Sequence, residues 1–255
     1  MSGCDAVLVE EADGILVITI NRPRVRNAVN SAVAQGLAAA MDRLDSAPGL
    51  RAGIITGAGG YFCAGMDLRA FGAGERASVE GRGFAGLVER PPDTPLIAAV
   101  EGPALGGGTE IALACDLVVA AESATFGLPE VKRGLIAAGG GLLRLPGRAP
   151  HHLAMEIALL GDRLTATAAH RFGMVNRLVP DGAALGTARE LAARIAANGP
   201  LAVAATKQVL TAGWAADATG FARQAELAHR VRTSEDAAEG ARAFVERRAP
   251  VWKGR

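Results

Sequence analysis

Leu96-Ile97-Ala98-Ala99-Val100 opens the stretch that decides the fold, which turns at Gly102-Pro103 and continues as Gly106-Gly107-Gly108-Thr109-Glu110-Ile111-Ala112-Leu113-Ala114. The first run is short, apolar and bounded by a turn, which predicts a buried strand. The second run passes from glycines into apolar residues and predicts a helix that begins among the glycines. Asp116 to Ala121 predicts the next strand. A strand, a helix and a strand in succession favour an α/β fold with crossover connections.

The same alternation extends toward both ends of the chain. Further strands are predicted at 14–20 and 51–56, and Asn30 offers an N-cap for a helix through about Leu44. The glycine-rich segment 71–93 is interpreted as a mobile loop with a helix inside it. After Val179-Pro180 the pattern is helical, with helices predicted at 184–198, 200–213, 217–232 and 234–247. We therefore predict an α/β core over residues 1–198 and a helical region over 199–255.

Composition excludes several classes of protein. The 255 residues carry a formal net charge of +1, which gives no general attraction to nucleic acid. No apolar run reaches the roughly 18 residues of a membrane span, and Met1 to Glu11 lacks the pattern of a signal peptide. Cys4, Cys63 and Cys115 are odd in number and lack CxxC spacing, which favours reduced thiols. We expect a soluble, cytoplasmic protein.

The glycines before Glu110 are typical of a backbone that a ligand approaches closely. The start of a helix carries free N–H groups and suits an anionic oxygen. Glu110 lies three residues beyond Gly107, hence on the same helix face, and helical side chains lean toward the N-terminus. Its carboxylate is therefore predicted near whatever the Gly107 N–H binds. The alternative is that the glycines form a tight turn and that Glu110 caps the helix.

A second loop, Phe62-Cys63-Ala64-Gly65-Met66-Asp67-Leu68-Arg69, follows the strand predicted at 51–56. Two such loops at one sheet edge would aim two N–H groups at one carbonyl oxygen and form an oxyanion hole. The alternative is that Asp67 is an ordinary N-cap and Arg69 a solvated surface charge.

Glu130 follows Leu128-Pro129 and is the second candidate acid. Two carboxylic acids that converge on one pocket hold a water between a base and an acid, which points to addition or removal of water, or proton transfer, next to a carbonyl. A metal site is not predicted, because the four histidines form no HExxH motif and pair with no cysteine at ligand spacing. Cys63 is interpreted as a small buried residue rather than a nucleophile.

In this order, the segments resemble the motifs of the enoyl-CoA hydratase/isomerase family, also called the crotonase family. The matching segments are Asn21-Arg22-Pro23 with Asn27-Ala28, Phe62 to Leu68, Gly106 to Glu110, Phe126 to Glu130, Thr165-Ala166 with Gly173 to Asn176 and Val179-Pro180, and Ser234 to Ala237 with Ala243 to Arg248. The resemblance implies a spiral of ββα repeats with a C-terminal helical region used in trimer assembly, often as a dimer of trimers. It covers nearly the whole chain.

The resemblance also implies roles for single residues. The Met66 and Gly107 N–H groups would form the oxyanion hole for an acyl-CoA thioester, and Glu110 and Glu130 fall on the two glutamates of the family's hydratases. The implied coenzyme A contacts are Arg24, Ala64, Asp67, Leu68, Arg69 and Lys253, the last reaching a neighbouring subunit in some relatives. Coenzyme A would belong to the substrate, with no separate cofactor and no metal. For Arg24, Arg69 and Lys253 the alternative is a solvated surface cation.

One departure from the family pattern concerns the segment after Glu130. Hydratases commonly have Pro-Gly where this chain has Ala137-Ala138, which bears on the rate and the substrate. The presence of both glutamates favours an enoyl-CoA hydratase, a lyase. Two alternatives remain: another crotonase-type enzyme, such as an isomerase or an acyl-CoA hydrolase, and a non-catalytic module that binds coenzyme A or RNA. The sequence leaves the acyl group, the pathway and the choice between trimer and hexamer open.

Overall fold

The fold is described from a computed structural model, for residues 6–213 and 217–255. The strands of these residues are β1 (Val7–Ala12), β2 (Ile15–Ile20), β3 (Ala52–Gly57), β4 (Ser78–Val79), β5 (Gly83–Phe84), β6 (Leu96–Val100), β7 (Pro103–Leu105), β8 (Leu117–Ala121), β9 (Thr125–Gly127), β10 (Leu164–Thr165) and β11 (Arg177–Val179). The helices are α1 (Ser31–Ser46), α2 (Leu68–Gly72), α3 (Gly107–Ala114), α4 (Gly141–Arg144), α5 (His151–Leu160), α6 (Ala166–Arg171), α7 (Ala184–Ala196), α8 (Pro200–Thr211), α9 (Ala218–Arg232) and α10 (Glu235–Glu246).

The main sheet has six strands in the order β1-β2-β3-β6-β8-β11. β1 is antiparallel to β2, and the remaining neighbours are parallel. All five residues of β6 are buried, because both faces of the sheet are covered. Ala184, Ala188 and Ala192 of α7 pack on one face, and the larger core that includes α1 covers the other. The four strands predicted from apolar runs are confirmed to within one residue.

A second sheet gives the spiral its next layer. It has the order β10-β9-β7, and β7 pairs in parallel with β9. β7 and β9 each follow a strand of the main sheet, β6 and β8, so that the chain makes successive ββ turns, and β7 leads into α3. The predicted crotonase-like α/β fold is confirmed.

The segment 71–93 differs from its prediction. Residues 73–93 contain no helix, and β4 and β5 form a hairpin. The hairpin packs on the body of the protein: Arg82 is buried and pairs with Asp42, and Ala85 and Leu87 are fully buried. The glycines of the segment therefore serve a tight turn and close packing. A loop–helix prediction was wrong here because a buried arginine and a short hairpin leave no apolar period in the sequence.

The predicted C-terminal helices are confirmed as α7 to α10, with ends that differ by no more than two residues. Contacts join α8 and the segment after α10 to the rest of the chain. Lys207 of α8 pairs with Asp116 at 2.5 Å, and the Trp252 indole N–H donates to the Ala197 carbonyl at 2.9 Å. The proposed division at 198/199 stays a prediction.

Candidate active site

Two loops meet beside the start of α3. Cys63 donates to the Pro103 carbonyl at 3.2 Å, and Leu105 donates to the Cys63 carbonyl at 3.0 Å, which lays the loop after β3 along β7. Gly65, with φ of +89°, then approaches α3 so closely that a Cβ built on it would lie 3.0 Å from the Gly107 nitrogen. The two glycine loops that the sequence pairs are therefore in contact.

Both proposed oxyanion donors lie at this junction. Val29 forms a parallel bridge beside Met66: its N–H donates to the Gly65 carbonyl at 2.8 Å, and its carbonyl accepts from the Asp67 N–H at 2.9 Å. The Met66 N–H takes no part in this pairing. Gly107 is the first residue of α3, where N–H groups have no partner inside the helix. Neither N–H donates a hydrogen bond to another residue within the described parts of the chain. The junction thus presents two free donors on adjacent loops.

Thr109 holds the glycine turn in place. Its hydroxyl donates to the Ala104 carbonyl at 2.7 Å and accepts from the Gly127 N–H at 3.0 Å, joining α3 to both β7 and β9. The sequence gives Thr109 as part of the motif but assigns it no role. The signal available in the sequence is a threonine placed directly between the glycines and the candidate acid.

Glu110 lies in the first turn of α3 and is only 4 % exposed. Its Oε1 accepts from the Gly141 N–H at 3.0 Å, and a Cβ on Gly139 would lie 2.5 Å from its Oε2. Burial raises the pKa of Glu110, the Glu130 carboxylate raises it further, and the Gly141 and Gly139 N–H groups and Arg144 oppose the rise. The chain segment that bears on Glu110, Gly139 to Gly141, follows the alanines that replace the family's Pro-Gly pair. Neither Ala137 nor Ala138 has a positive φ, so both backbone conformations suit alanine.

Glu130 lies in the first turn of a 3-10 helix, Pro129–Arg133. A Cβ on Gly106 would lie 2.8 Å from its Oε1, so its carboxylate borders the residue that precedes Gly107. Its Oε2 is buried without a hydrogen-bond partner among the described residues. Burial raises the pKa of Glu130, opposed by its own backbone N–H and by Arg133. Leaving a buried carboxyl oxygen without a partner is costly, and a proton or a water molecule would satisfy it.

The two carboxyl groups therefore share one end of α3 with the two free N–H donors. One carboxyl projects from the first turn of the helix, and the other lies against Gly106 just before it. Raised pKa values suit groups that exchange protons near neutral pH. The arrangement can polarise a carbonyl oxygen and move protons on carbons beside it.

The implied coenzyme A residues fall into two places. The turn that carries Arg24 contacts the second loop, because the Ala64 N–H donates to the Arg26 carbonyl at 3.0 Å. Leu68 and Arg69 are exposed at the start of α2, at the rim of the site, and Arg24 is exposed as well. These residues stay predicted ligands of coenzyme A.

Asp67 is engaged within the protein. Its carboxylate accepts from the Arg69 and Ala70 N–H groups as the N-cap of α2 and pairs with Arg22 at 2.9 Å. Burial alone would raise the pKa of Asp67, but the Ala70 N–H and Arg22 outweigh it and lower the pKa. Asp67 therefore shapes the loop that carries Met66, in agreement with its alternative interpretation as an N-cap. Asn27 supports the same region, since its amide donates to the Ala58 and Tyr61 carbonyls at 2.9 and 2.6 Å.

Lys253 is remote from these groups within its own chain. It pairs with Glu235 at 2.9 Å and lines a surface cavity together with Thr94 and Pro95. Those two residues precede β6, whereas the glycine turn follows β6. The structure does not bring Lys253 to the site formed by the same chain, so its predicted contact requires a neighbouring subunit.

The remaining candidates have ordinary surroundings. The His170 Nδ1 lies 2.8 Å from the Val175 carbonyl, and the described residues contain no cluster of three or more potential metal ligands. Burial raises the pKa of the Cys63 thiol to about 12, so the thiol is neutral and a poor nucleophile. Cys115 is also buried and free, and Cys4 lies outside the described residues. Among the described helices, none has the length and apolar character to cross a membrane.

Comparison with known proteins gives consistent matches along the chain. The family model described as enoyl-CoA hydratase/isomerase matches residues 10–255. "Enoyl-CoA hydratase EchA19" of Mycobacterium tuberculosis is 43 % identical over all of this chain and 98 % of its own length, and "Carnitinyl-CoA dehydratase" of Salmonella typhi is 43 % identical over 94 % of this chain and 95 % of its own.

Solved structures agree with the sequence matches. The enoyl-CoA hydratase EchA1 of Mycobacterium marinum is 61 % identical, with a TM-score of 0.96 over 98 % of this chain and all of that one. A carnitinyl-CoA hydratase of Mycobacterium avium is 46 % identical, with a TM-score of 0.80 over 99 % of this chain and all of that one.

Proposed function

The chain belongs to the enoyl-CoA hydratase/isomerase family, and from this premise we propose that it is an enoyl-CoA hydratase, a hydro-lyase. The reaction is the reversible syn addition of water to a trans-2-enoyl-CoA, which gives a 3-hydroxyacyl-CoA. The observation that carries the proposal is the presence of both Glu110 and Glu130, with raised pKa values, at the end of α3 that holds the free Gly107 N–H.

The oxyanion hole activates the substrate. The thioester oxygen lies between the Met66 and Gly107 N–H groups, which withdraw electrons from the conjugated C=C–C=O system. Negative charge collects on this oxygen when water attacks the β-carbon, and the two donors, with the N-terminus of α3, stabilise the enolate.

Glu110 is the base and Glu130 the acid in hydration. Ionised Glu110, oriented by the Gly141 N–H, removes a proton from the attacking water. Protonated Glu130 then delivers a proton to the α-carbon of the enolate, and the roles reverse for dehydration. Coenzyme A enters as part of the substrate, and the chemistry requires no separate cofactor because the two carboxyl groups supply both acid and base.

The test follows the loss of conjugated-thioester absorbance from crotonyl-CoA and from a longer trans-2-enoyl-CoA. We expect Glu110→Gln and Glu130→Gln each to lower kcat by about 10²–10⁴-fold. Glu156→Gln, an exposed acid on α5, is the matched control and should keep full activity. Near-normal turnover in both site variants would rule the mechanism out. Activity that needs only one glutamate would favour an isomerase or an acyl-CoA hydrolase instead.

Carnitinyl-CoA belongs in the same assay, run in the direction of dehydration. Relatives at 43–46 % identity bear that substrate in their names. Leu135, Ile136 and Leu143 are exposed apolar residues on either side of the Gly139–Gly141 segment that contacts Glu110. Apolar side chains in this stretch support a hydrocarbon acyl group over a charged one.

The proposed assembly is a homotrimer or a dimer of trimers, in the cytoplasm. Phe244 and Val245 of α10 are 86 % and 80 % exposed, which supports burial of this helix in a subunit interface. In such an assembly Lys253 would contact the coenzyme A of a neighbouring subunit. Light scattering of the purified protein gives the number of subunits, and a monomer that retains full activity would exclude the assembly.

A further inference from the structure

The aromatic ring of Phe84 lies directly against Gly107. A Cβ built on Gly107 would lie 2.3 Å from Cε1 and 2.4 Å from Cζ of that ring. The ring therefore fills the side of Gly107 where any other residue would carry a side chain. Phe84 is half-buried, so part of the ring remains open to the space beside the glycine turn.

The backbone that carries Phe84 is fixed. Phe84 pairs with Ser78 in the hairpin, and the next residue, Ala85, is fully buried. A Cβ on Gly86 would lie 2.3 Å from the Ala34 carbonyl oxygen of α1, which shows how tightly the two backbones pack. Moving the backbone of Phe84 would thus require separation of the hairpin from α1.

Two further contacts close the hairpin against its surroundings. Buried Arg82 pairs with Asp42 of α1 and donates to the Arg90 carbonyl at 3.3 Å. Arg144, at the end of α4, donates to the Val88 carbonyl. α4 begins at Gly141, whose N–H donates to Glu110. The same helix therefore contacts both the segment after the hairpin and the proposed catalytic base.

The position of the bound thioester determines which substrate atoms the Phe84 ring contacts. A thioester oxygen held by the Gly107 N–H places the carbonyl carbon, and then the α-carbon, next to Gly107. A ring packed against Gly107 consequently borders the α-carbon and its substituents. Such a wall disfavours added bulk at that carbon, and one methylene in such a site is worth about 10–200-fold in discrimination.

We propose that Phe84 is a specificity-determining residue: its ring forms a wall of the acyl site that admits thioesters with an unbranched α-carbon and disfavours those branched there. The proposal rests on the proposed function for the position of the thioester. It names a substrate class, the linear 2-enoyl-CoAs, and it assigns no proton transfer to Phe84.

Binding of saturated thioesters tests the wall without requiring turnover. The probes are butyryl-CoA, which is linear, and pivaloyl-CoA, which is branched at the α-carbon, with free coenzyme A as the reference, all measured by calorimetry. We expect the wild type to prefer butyryl-CoA and Phe84→Ala to reduce that preference by about tenfold or more. Phe84→Tyr should retain the preference, and the affinity for free coenzyme A should be unchanged in both variants.

Phe172→Ala is the matched control, because Phe172 is another half-buried phenylalanine that packs on the same core next to α6. It should alter stability without altering the preference for butyryl-CoA. If Phe84→Ala does not fold, Phe84→Leu is measured in its place, and a smaller shift in the same direction is expected. An unchanged preference in the folded variant would overturn the proposal.

A kinetic arm separates this proposal from the proposed function. Crotonyl-CoA and its 2-methyl derivative, tigloyl-CoA, are assayed with wild type and Phe84→Ala, and the ratio of their kcat/KM values should move toward tigloyl-CoA. Hydration of crotonyl-CoA with no change in that ratio would reject the role of Phe84 and leave the proposed hydratase function intact. Absence of hydration together with a changed binding preference would count against the hydratase and leave the wall in place.

Discussion

The Cα of Gly65 faces the backbone nitrogen of Gly107 with no room for a methyl group between them. A Cβ on Gly65 would lie 3.0 Å from that nitrogen and 2.8 Å from the Leu105 carbonyl oxygen. The two loops that carry the oxyanion donors can approach each other only because residue 65 has no side chain.

Gly65→Ala should therefore separate the two donors. The added methyl group presses on backbone atoms, which cannot swing aside, so the spacing of the Met66 and Gly107 N–H groups must change. We expect kcat for crotonyl-CoA to fall by about 10²–10³-fold, the loss typical of one oxyanion donor. Steady-state kinetics and a thermal melt of the same sample measure this.

Gly173→Ala controls for backbone strain in that experiment. Gly173 has φ of +88°, almost the same as Gly65, but nothing lies within 4 Å of its added Cβ. The substitution should cost about 1–2 kcal/mol of stability for the left-handed conformation and leave kcat unchanged. Equal losses of activity in both variants would mean that strain, and not the clash, is responsible.

Gly139→Ala should disturb the base without disturbing the fold. Its Cβ would lie 2.5 Å from Glu110 Oε2, the end of a flexible side chain that can move away. We expect kcat to fall by about 10²-fold or more, as for impaired general base catalysis, with little change in Tm. Gly147→Ala, whose Cβ meets nothing within 4 Å, should keep full activity, and a normal kcat in Gly139→Ala would contradict the proposed position of Glu110.

The pH dependence of stability should report the burial of Glu110. Its raised pKa means that the native state holds the proton more tightly than the unfolded chain does. The stabilising contribution is then present at low pH and is lost as pH rises through the native-state pKa, which lies above the ordinary value of 4.5. Glu110→Gln should consequently be more stable than wild type at neutral pH, and the difference should shrink in acid.

Denaturant unfolding of wild type and Glu110→Gln between pH 4 and 8 tests this, with Glu156→Gln as the exposed control. The activity of the wild type should fall in acid with an apparent pKa above 4.5, because Glu110 has a raised pKa and must be ionised to act as the base. The pKa of Glu110 includes a contribution from the Glu130 carboxylate, so Glu130→Gln should move the acid limb toward lower pH. Stability differences independent of pH would argue against a buried, ionised Glu110.

Glu239 should stabilise the C-terminal segment, residues 248–255, and this contribution should change with pH in the direction opposite to that of Glu110. Arg248 at 2.6 Å and the Val251 N–H at 2.9 Å lower the pKa of Glu239 to about 2. A lowered pKa gives a stabilising contribution that is present above the unfolded value and is lost as pH falls through the native one, here between about 4.5 and 2. Glu239→Gln should speed hydrogen exchange in residues 248–255 near neutral pH.

Glu246→Gln is the matched control, since Glu246 pairs with the same Arg248 but is largely exposed. Exposed pairs contribute little, so exchange in residues 248–255 should stay close to that of wild type. Equal exchange in wild type and Glu239→Gln would show that the segment is held by other contacts, such as that of Trp252.

The sequence predicts those parts of the fold that local composition determines. β2, β3, β6 and β8 are continuous apolar runs because both of their faces are buried, and Asn30 caps α1 through the Val33 N–H as expected. β1 has no such signature: it is an edge strand with five exposed residues. β7 and β9 contain three residues each, too few for any period to be visible.

The site divides in the same way. Gly107 and Glu110 are three residues apart in the sequence, so helical spacing places them on the same face. The Gly141 N–H that orients Glu110 lies 31 residues away, and the ring on Gly107 comes from a hairpin that the sequence does not reveal. Such contacts depend on the packing of separate elements, which no local pattern encodes.

Gly65, Gly107 and Gly139 have a consequence for how this enzyme can change over generations. A side chain at residue 65 would press on the Gly107 nitrogen, one at 107 on the Phe84 ring, and one at 139 on the Glu110 carboxylate. Substitutions at these positions should therefore reduce activity and be eliminated by selection. Phe84, Leu135, Ile136 and Leu143 are under no such restriction, because none of them carries a proton or an oxyanion donor. Inherited variation can therefore accumulate at the proposed acyl wall while the chemistry is retained, and a mutant library confined to those four positions should contain active variants with altered substrate ranges.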